Sequence, residues 1–355
     1  MPARCGGRKI FLEVCMKRIA VLLLLVCLAA GSAFAGGQGE SASDAGKGSE
    51  VIKMTMASSQ PPEGGYMGDM AFKFKEYLKE ESNGRIELTV HHSGALSSNE
   101  RELLEMAQAG SVDFSMGATT YVLGWAPSFK IFDLPYLFDS VDHFDRVVFG
   151  EVGDVLEAEC ADDGVILLGQ IIPGFRSIFT AKKEVRSYSD LQGLKIRSME
   201  SPVYIEMFKR LGMLPTPMPS SELYTALQTG VVDAGENDPA SVVSWGWIDV
   251  IKYYMLDKHT LSSNVLVMNK AKFDSFDPEL QDAILRASER AIRYQFEYIQ
   301  GAWEDSMQKI RDKGITVVEL SESELDKFRA SVAPIVDKYE KEIGKNLVQM
   351  VKDAR

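Results

Sequence analysis

Apolar and polar positions change period repeatedly along the chain, and each change marks an element. Val51–Ala57 and Ile86–His91 alternate at period two, which predicts strands. Between them, Tyr66–Glu81 repeats apolar residues every three or four positions and stops at Ser82-Asn83-Gly84, the pattern of a helix. Ser97–Gln108 reads as a second helix, opened by a capping box from Ser97 to Glu100 and followed by Gly110. Strands over Val112–Ala118, Val165–Ile172, Leu194–Met199 and Val231–Ala234, and helices over Pro202–Leu211 and Glu222–Gln228, continue the series. Ser201 and Pro202 have the form of a cap followed by a first-turn proline. This alternation predicts an α/β architecture with largely parallel sheets.

Near the C-terminus, Asp277-Pro278 opens a helical pattern that reaches Lys313, with Gly301 as its only internal glycine. Helical throughout, it would span about 54 Å. That is long for one domain and suits a helix that crosses from one lobe to another, with Gly301 as the place for a kink.

Two segments repeat. "ELLEMAQAGSVD" (102–113) and "ELYTALQTGVVD" (222–233) share E-L-x4-Q-x-G-x-V-D at an offset of 120 residues. Two explanations are open: αβ units look alike in general, or the chain forms two similar lobes. In open α/β sheets ligands gather outside the carboxyl ends of strands. Two lobes facing across a cleft would therefore place Thr119–Thr120 and Glu236–Asn237 on opposite walls. Ser58, directly after the first strand, joins these as a binding candidate.

The N-terminus changes the picture of where this happens. Met16-Lys17-Arg18, the apolar run Ile19–Ala30 and the small-x-small Ala33-Phe34-Ala35 are the three regions of a secretory signal peptide over residues 1–35. Met16 reads as the natural start, which makes residues 1–15 an upstream extension. Cleavage after Ala35 leaves a flexible Gly/Ser-rich leader over 36–50 and an exported, periplasmic protein. It also leaves 34 basic and 50 acidic residues, a net charge of −16. Nucleic acid and anionic lipid are poor partners for such a chain. Cys5, Cys15 and Cys27 leave with the presequence, so Cys160 has no disulfide partner. A lipid anchor on Cys27 is disfavoured: it lies inside the apolar run and follows Val26, where a small residue is expected.

The candidate chemistry is that of binding. No G-x-S-x-G and no H-E-x-x-H occurs, which speaks against an exported hydrolase. Of His91, His92, His143 and His259, only the first two are adjacent, and adjacent strand residues point to opposite faces. Neither a metal site nor a cofactor is expected. "AGKGS" in the leader follows no strand and has the wrong glycine spacing for a phosphate loop. Arg197 stands where a strand runs out and a helix begins, either as a solvated strand end or as a guanidinium that holds something anionic.

The stretches "FDLPYLF" (132–138), "DLQGLKIRSMESPVY" (190–204), "LGMLPTPMPSSELYTALQTGVVDAGEN" (211–237) and "KYYMLDKHT" (252–260), in this order, resemble the substrate-binding proteins of tripartite ATP-independent periplasmic (TRAP) transporters, dicarboxylate-binding type. The resemblance implies a two-lobed periplasmic-binding-protein clamp, class II-like, with a long lobe-spanning C-terminal helix. Lobe I would comprise 51–173 with about 262–300, and lobe II 174–261 with about 301–355. It implies that Arg197 contacts a ligand carboxylate, for which a planar fork is suited. Asn237 would hold the carboxylate or a hydroxyl, the alternative being an Asx-turn before Pro239. Arg176 would contact the ligand or clamp the closed form, the alternative being an inter-strand ion pair. The partners implied are a small organic acid and the membrane subunits of a TRAP transporter, with the protein as a monomer. A ligand sensor, or a binding protein for an ATP-driven importer, is the alternative on the same fold.

Departures from the family bear on the ligand. Ser220 stands where many relatives carry an aromatic residue, and Trp245 and Trp247 follow nearby, as an apolar wall or as core aromatics. Glu200, three residues after Arg197, would repel a second ligand carboxylate and accept hydrogen bonds from hydroxyls. This tilts the expected ligand from a C4-dicarboxylate towards a sugar acid such as a hexuronate.

Overall fold

The computed structural model describes residues 51–62, 65–172, 174–261 and 263–355. The expected signal peptide and leader, with Cys5, Cys15 and Cys27, lie outside the described residues. Cys160 is buried and unpaired.

Eleven described strands form two sheets. Sheet I contains β1 (Ile52–Ala57), β2 (Ile86–His91), β3 (Phe114–Ala118), β4 (Val165–Ile171) and β10 (Asn264–Asn269), in the order β2-β1-β3-β10-β4. Sheet II contains β5 (Ser177–Thr180), β6 (Lys195–Ser198), β7 (Leu214–Pro217), β8 (Ala234–Asn237), β9 (Tyr253–Met255) and β11 (Thr316–Val318), in the order β11-β9-β5-β8-β6-β7. The sheets are mixed, and parallel apart from one strand in each. β10 runs antiparallel to β3 and β4, and β5 antiparallel to β8 and β9. The reason is connectivity. After β4 the chain leaves sheet I and enters sheet II as β5; after β9 it returns as β10. Each exchanged strand inserts against the direction of its neighbours. The two crossing segments meet in an antiparallel bridge between Arg176 and Thr260.

The two sheets share one plan: β2-β1-β3-β10-β4 matches β7-β6-β8-β5-β9 strand for strand, with β11 added at an edge. The repeat noted in the sequence is the visible part of this correspondence. Helix α2 (Glu100–Gln108) stops at left-handed Gly110 and leads to β3; helix α6 (Ser220–Thr229) stops at left-handed Gly230 and leads to β8. Asp113 then accepts the Thr55 backbone N–H of β1 at 2.7 Å, and Asp233 accepts that of Lys195 in β6 at 3.0 Å.

Helix α1 (Tyr66–Glu81) ends where expected, with Asn83 and Gly84 in the left-handed region. The intervening helices are α3 (Val141–Val148), α4 (Glu151–Asp162) and α5 (Pro202–Arg210). Ser201 caps α5 through its Oγ, which accepts the Val203 N–H at 3.2 Å, and Pro202 holds the first turn. After α7 (Pro239–Ser244) and α8 (Lys270–Asp274) comes the long helix α9 (Pro278–Asp312). Asp277 caps α9 by accepting the Leu280 N–H at 2.9 Å. α9 packs on α1 and β4, and also on α7 and β11, so it touches elements of both sheets. Helices α10 (Glu322–Ile343) and α11 (Lys345–Asp353) close the chain. No described helix is long and apolar enough to cross a membrane.

Two differences from the sequence expectation bear on the site. The strand expected over 231–234 lies at Ala234–Asn237, so Asn237 belongs to a strand end. The capping box from Ser97 to Glu100 does not form. Asn99 caps α2 by accepting the Arg101 N–H at 2.9 Å, and Ser97 donates to Glu102 at 2.6 Å. Glu100, the first helical residue, is thereby released from capping and turns inward.

Candidate ligand-binding site

β6 and β8 end side by side, and their last residues carry a buried charge cluster. Arg197 is fully buried. Its Nε donates to the Met218 carbonyl at 2.9 Å and its Nη2 to Ser220 Oγ at 3.1 Å. Nη1 lies 3.8 Å from Glu236 Oε1, too far for a hydrogen bond, and no described group accepts from it. A buried guanidinium nitrogen without an acceptor is costly and calls for an explanation.

Glu236, also fully buried, sits at the centre. Arg176 grips it with two parallel bonds, Nε to Oε2 at 2.6 Å and Nη2 to Oε1 at 2.8 Å. Nη1 of Arg176 donates to Asn237 Oδ1 at 2.7 Å. His259 Nε2 lies 3.4 Å from Glu236 Oε2, while Nδ1 lies 2.8 Å from Asp257 Oδ2. Burial alone would push the Glu236 carboxyl up; the Arg176 charge and His259 outweigh it and hold it at about 2. Burial would likewise push His259 down, but the Asp257 and Glu236 carboxylates raise it to about 9. At neutral pH three cations thus face two anions in direct contact. The nearby Asp133 and Asp238, raised to about 6 by burial, spend their oxygens on hydroxyls and a backbone N–H. With those two carboxyls mostly ionised at pH 7, the cluster holds no surplus cation; what it leaves open is the unpartnered Nη1.

The first repeat supplies the facing wall, and it is different. Glu100 is buried and accepts from Ser59 Oγ at 2.9 Å, Gln60 Nε2 at 3.1 Å and the Ala118 N–H at 3.1 Å. These partners are neutral. The N-terminus of α2 favours the negative charge at this position.

Between the walls lies a cavity. Gln60, Tyr66, Met67, Glu100, Ala118 and Tyr121 line it from one side, and Arg176, Met199, Ser220, Asn237, Ser241 and Trp245 from the other, with Asn264 between. It encloses ≈ 30 Å³, against roughly 300–1,000 Å³ for small-molecule sites. At the rim, Arg101 Nη2 stands 3.8 Å from Glu200 Oε2, and Ser221 Oγ donates to the Ser98 carbonyl at 3.3 Å. The walls touch at this rim, and a sugar-sized ligand needs them to part.

Of the residues singled out in the sequence, Arg176, Asn237 and Ser220 line the cavity, and Arg197 lies directly behind Ser220. Arg176 is an ion-pair residue and a cavity residue at once. Asn237 does not form the Asx-turn, because Pro239, two residues on, has no N–H; its Oδ1 accepts instead from the Asp238 N–H at 2.9 Å and from Arg176, so its NH2 group is what it offers to the cavity. Ser58 and Thr119 are buried behind the first wall. Ser58 Oγ accepts the Gln60 N–H at 3.1 Å, and Thr119 Oγ1 donates to the Ser263 carbonyl at 3.0 Å. Glu200 is at the rim and does not line the cavity. The two tryptophans divide: Trp247 is core, Trp245 is wall.

Glu100, Gln60, Tyr66, Tyr121, Ser241 and Asn264 were not singled out. Two signals pointed to some of them. Asn237, Ser241 and Trp245 are spaced four apart, across the short helix α7 and its two flanks. Glu100 and Ser220 are exactly one repeat length apart in number. Among the described residues, no cluster of three or more His, Cys, Asp or Glu is placed to hold a metal ion.

Residues 57–342 match the family described as DctP, bacterial extracellular solute-binding protein, family 7. The chain belongs to this family, the substrate-binding proteins of TRAP transporters, and is not an enzyme. The 2,3-diketo-L-gulonate-binding periplasmic protein of Escherichia coli is 32% identical over 70% of this chain and 75% of its own length. The sugar acid binding protein of Advenella mimigardefordensis, solved in complex with galactonate, superimposes with a TM-score of 0.82 at 30% identity, covering 86% of this chain and 98% of that one. A TRAP periplasmic solute-binding protein of Xanthobacter autotrophicus, solved with bound β-D-galacturonate, gives 0.80 at 28% identity, covering 85% and 100%.

Proposed function

We propose that this protein captures a sugar acid, a hexuronate in preference to a C4-dicarboxylate, and delivers it to the membrane subunits of a TRAP transporter. The observation that carries the reading is the charge asymmetry of the two walls. On one, Arg197 holds an unpartnered Nη1 at the edge of a cluster of three basic side chains. A ligand carboxylate there takes up the free N–H once the walls part and Ser220 yields. On the other, Glu100 accepts from neutral groups only. It would repel a second carboxylate, whereas hydroxyls can donate to it. Relatives that bind galacturonate, galactonate and diketogulonate support the same class of ligand. Glu200, read from the sequence as the hydroxyl acceptor, serves instead as a rim contact to Arg101, and Glu100 takes over the acceptor role.

Capture requires opening. The chain crosses between the sheets at 172–176 and 256–263 and runs along both in α9. Residues 51–173 with about 262–300, and 174–261 with about 301–355, are the two lobes of this reading, and they hinge at those crossings. Each chain carries a complete cavity, so a monomer suffices. Export with cleavage after Ala35 would place it in the periplasm.

Calorimetric titration of the exported form with galacturonate, glucuronate, galactonate and succinate tests the ligand class. The sugar acids are expected to bind at least about tenfold more tightly than succinate. Tightest binding of succinate would overturn the reading. Small-angle scattering with the bound acid should show compaction.

A further inference from the structure

We propose that Trp245 is a ring-face platform, which makes this site prefer a sugar acid closed into a pyranose ring over an open-chain one of the same length. The inference rests on the sugar-acid reading and sharpens it.

Three aromatic side chains line the cavity: Tyr66, Tyr121 and Trp245. Both tyrosines are buried in the first wall, at 6% and 3% exposure, whereas Trp245 is only half-buried. It therefore keeps indole surface that the protein does not cover. The residue is held from behind. Its ring stacks on Trp247 at 5.8 Å and 13°, and the fully buried Trp247 packs in turn on Phe179 at 5.7 Å. A braced aromatic loses little freedom when something lies against it, which is what a stacking surface needs.

Its position fits the carboxylate anchor. Asn237 at the end of β8, Ser241 in α7 and Trp245 at its C-cap follow one another at intervals of four, and all line the cavity. Asn237 is in contact with Arg176, and the neighbouring strand end carries Arg197. A ligand whose carboxylate meets the arginine cluster therefore has its next atoms along this line of residues. Position 220, beside Arg197, offers only a hydroxyl, and that hydroxyl accepts from Arg197. On this wall the aromatic surface is Trp245's alone. One face of a pyranose carries a flat patch of C–H groups that packs on an aromatic ring. An open-chain aldonate presents hydroxyls and C–H groups in every direction and has no such face.

The experiment is titration of the wild type, Trp245→Ala and Trp245→Phe with galacturonate and with galactonate, accompanied by tryptophan emission spectra. The wild type should prefer galacturonate. Trp245→Ala should weaken galacturonate about tenfold and galactonate less than about threefold. Trp245→Phe should keep most of the galacturonate affinity while losing the emission change that the wild type shows on binding. Equal weakening of both ligands, or an emission change that persists in Trp245→Phe, overturns the proposal while leaving the sugar-acid reading intact. Binding of neither acid by the wild type overturns both. If Trp245→Ala does not fold, the emission result with Trp245→Phe decides.

Discussion

Helix α2 with β1 and β3, and helix α6 with β6 and β8, are built alike down to single hydrogen bonds. Val112 N–H reaches the Met106 carbonyl at 3.3 Å, and Val232 N–H the Ala226 carbonyl at 3.3 Å. Asp113 exchanges bonds with Thr55 as Asp233 does with Lys195. The units part ways at their strand ends and helix starts. Ala57 corresponds to Arg197, Met116 to Glu236, Gly117 to Asn237 and Glu100 to Ser220. The last two swaps are linked by space. A Cβ on Gly117 would come within 3.1 Å of Leu104 Cδ1 and 3.3 Å of Glu100 Oε2, so glycine in the strand leaves room for both α2 side chains. In the second unit the strand carries the larger Asn237 and the helix the small Ser220. A shared scaffold sets the distance between two walls, and a handful of substitutions at its strand ends gives them different charge.

That comparison can be broken most forcefully at Glu236. Glu236→Ala leaves two guanidiniums and His259 buried without their shared anion. It should cost about 3–5 kcal/mol of stability, read as urea unfolding, whereas Met116→Ala at the matching position should cost about 2–5 kcal/mol from cavity formation alone. Salt sensitivity distinguishes them, since only the first exposes unpaired charge. If both variants unfold identically at low and high salt, the charge cluster carries no special weight.

Arg197 comes next. Arg197→Ala should weaken the bound sugar acid by about 2–5 kcal/mol, because the ligand carboxylate is left unpaired. Arg197→Lys keeps the charge but loses the fork, so its loss should be smaller. Near-equal affinity in all three proteins, measured calorimetrically, would return Arg197 to a purely structural role.

The clamps that make the units alike should behave alike. Asp113→Ala and Asp233→Ala each remove a charged acceptor of a backbone N–H, at about 1.5–3 kcal/mol. The two losses should agree within about 0.5 kcal/mol and add in the double variant. A twofold disagreement in unfolding free energy would show that the repeat is a likeness of shape only.

His259 sharpens the second unit by pH. Its value is raised from 6.5 to about 9, so its contribution is complete below about 6.5 and is lost as pH rises through 9. Melting temperature should therefore fall on the alkaline side through pH 9, and His259→Gln should flatten that limb. An unchanged limb in the variant would assign the alkaline loss elsewhere. The smallest effect belongs to the rim. Arg101 and Glu200 are both partly exposed and 3.8 Å apart, so Glu200→Gln should change ligand affinity by no more than about 1 kcal/mol.

Much of this was legible in the chain. Local rules placed α1, the capped start of α5 and the long α9, because caps, glycine stops and apolar spacing act over a few residues. The offset of 120 announced the two matched units, and the motif around Gly193–Arg197 singled out the arginine whose Nη1 has no acceptor among the described residues. Local rules failed where two options of similar energy competed. Glu100 can close a capping box with Ser97 or turn inward while Asn99 caps, and only the pocket of Ser59, Gln60 and the Ala118 N–H tips that balance. The direction of β5 and β10 follows from the chain changing sheets, which no segment encodes by itself. The role of Glu236 was equally hidden. A glutamate at a strand end has no fixed meaning until Arg176, Arg197 and His259 arrive from separate segments, and its charge is tolerable in the core only because they do.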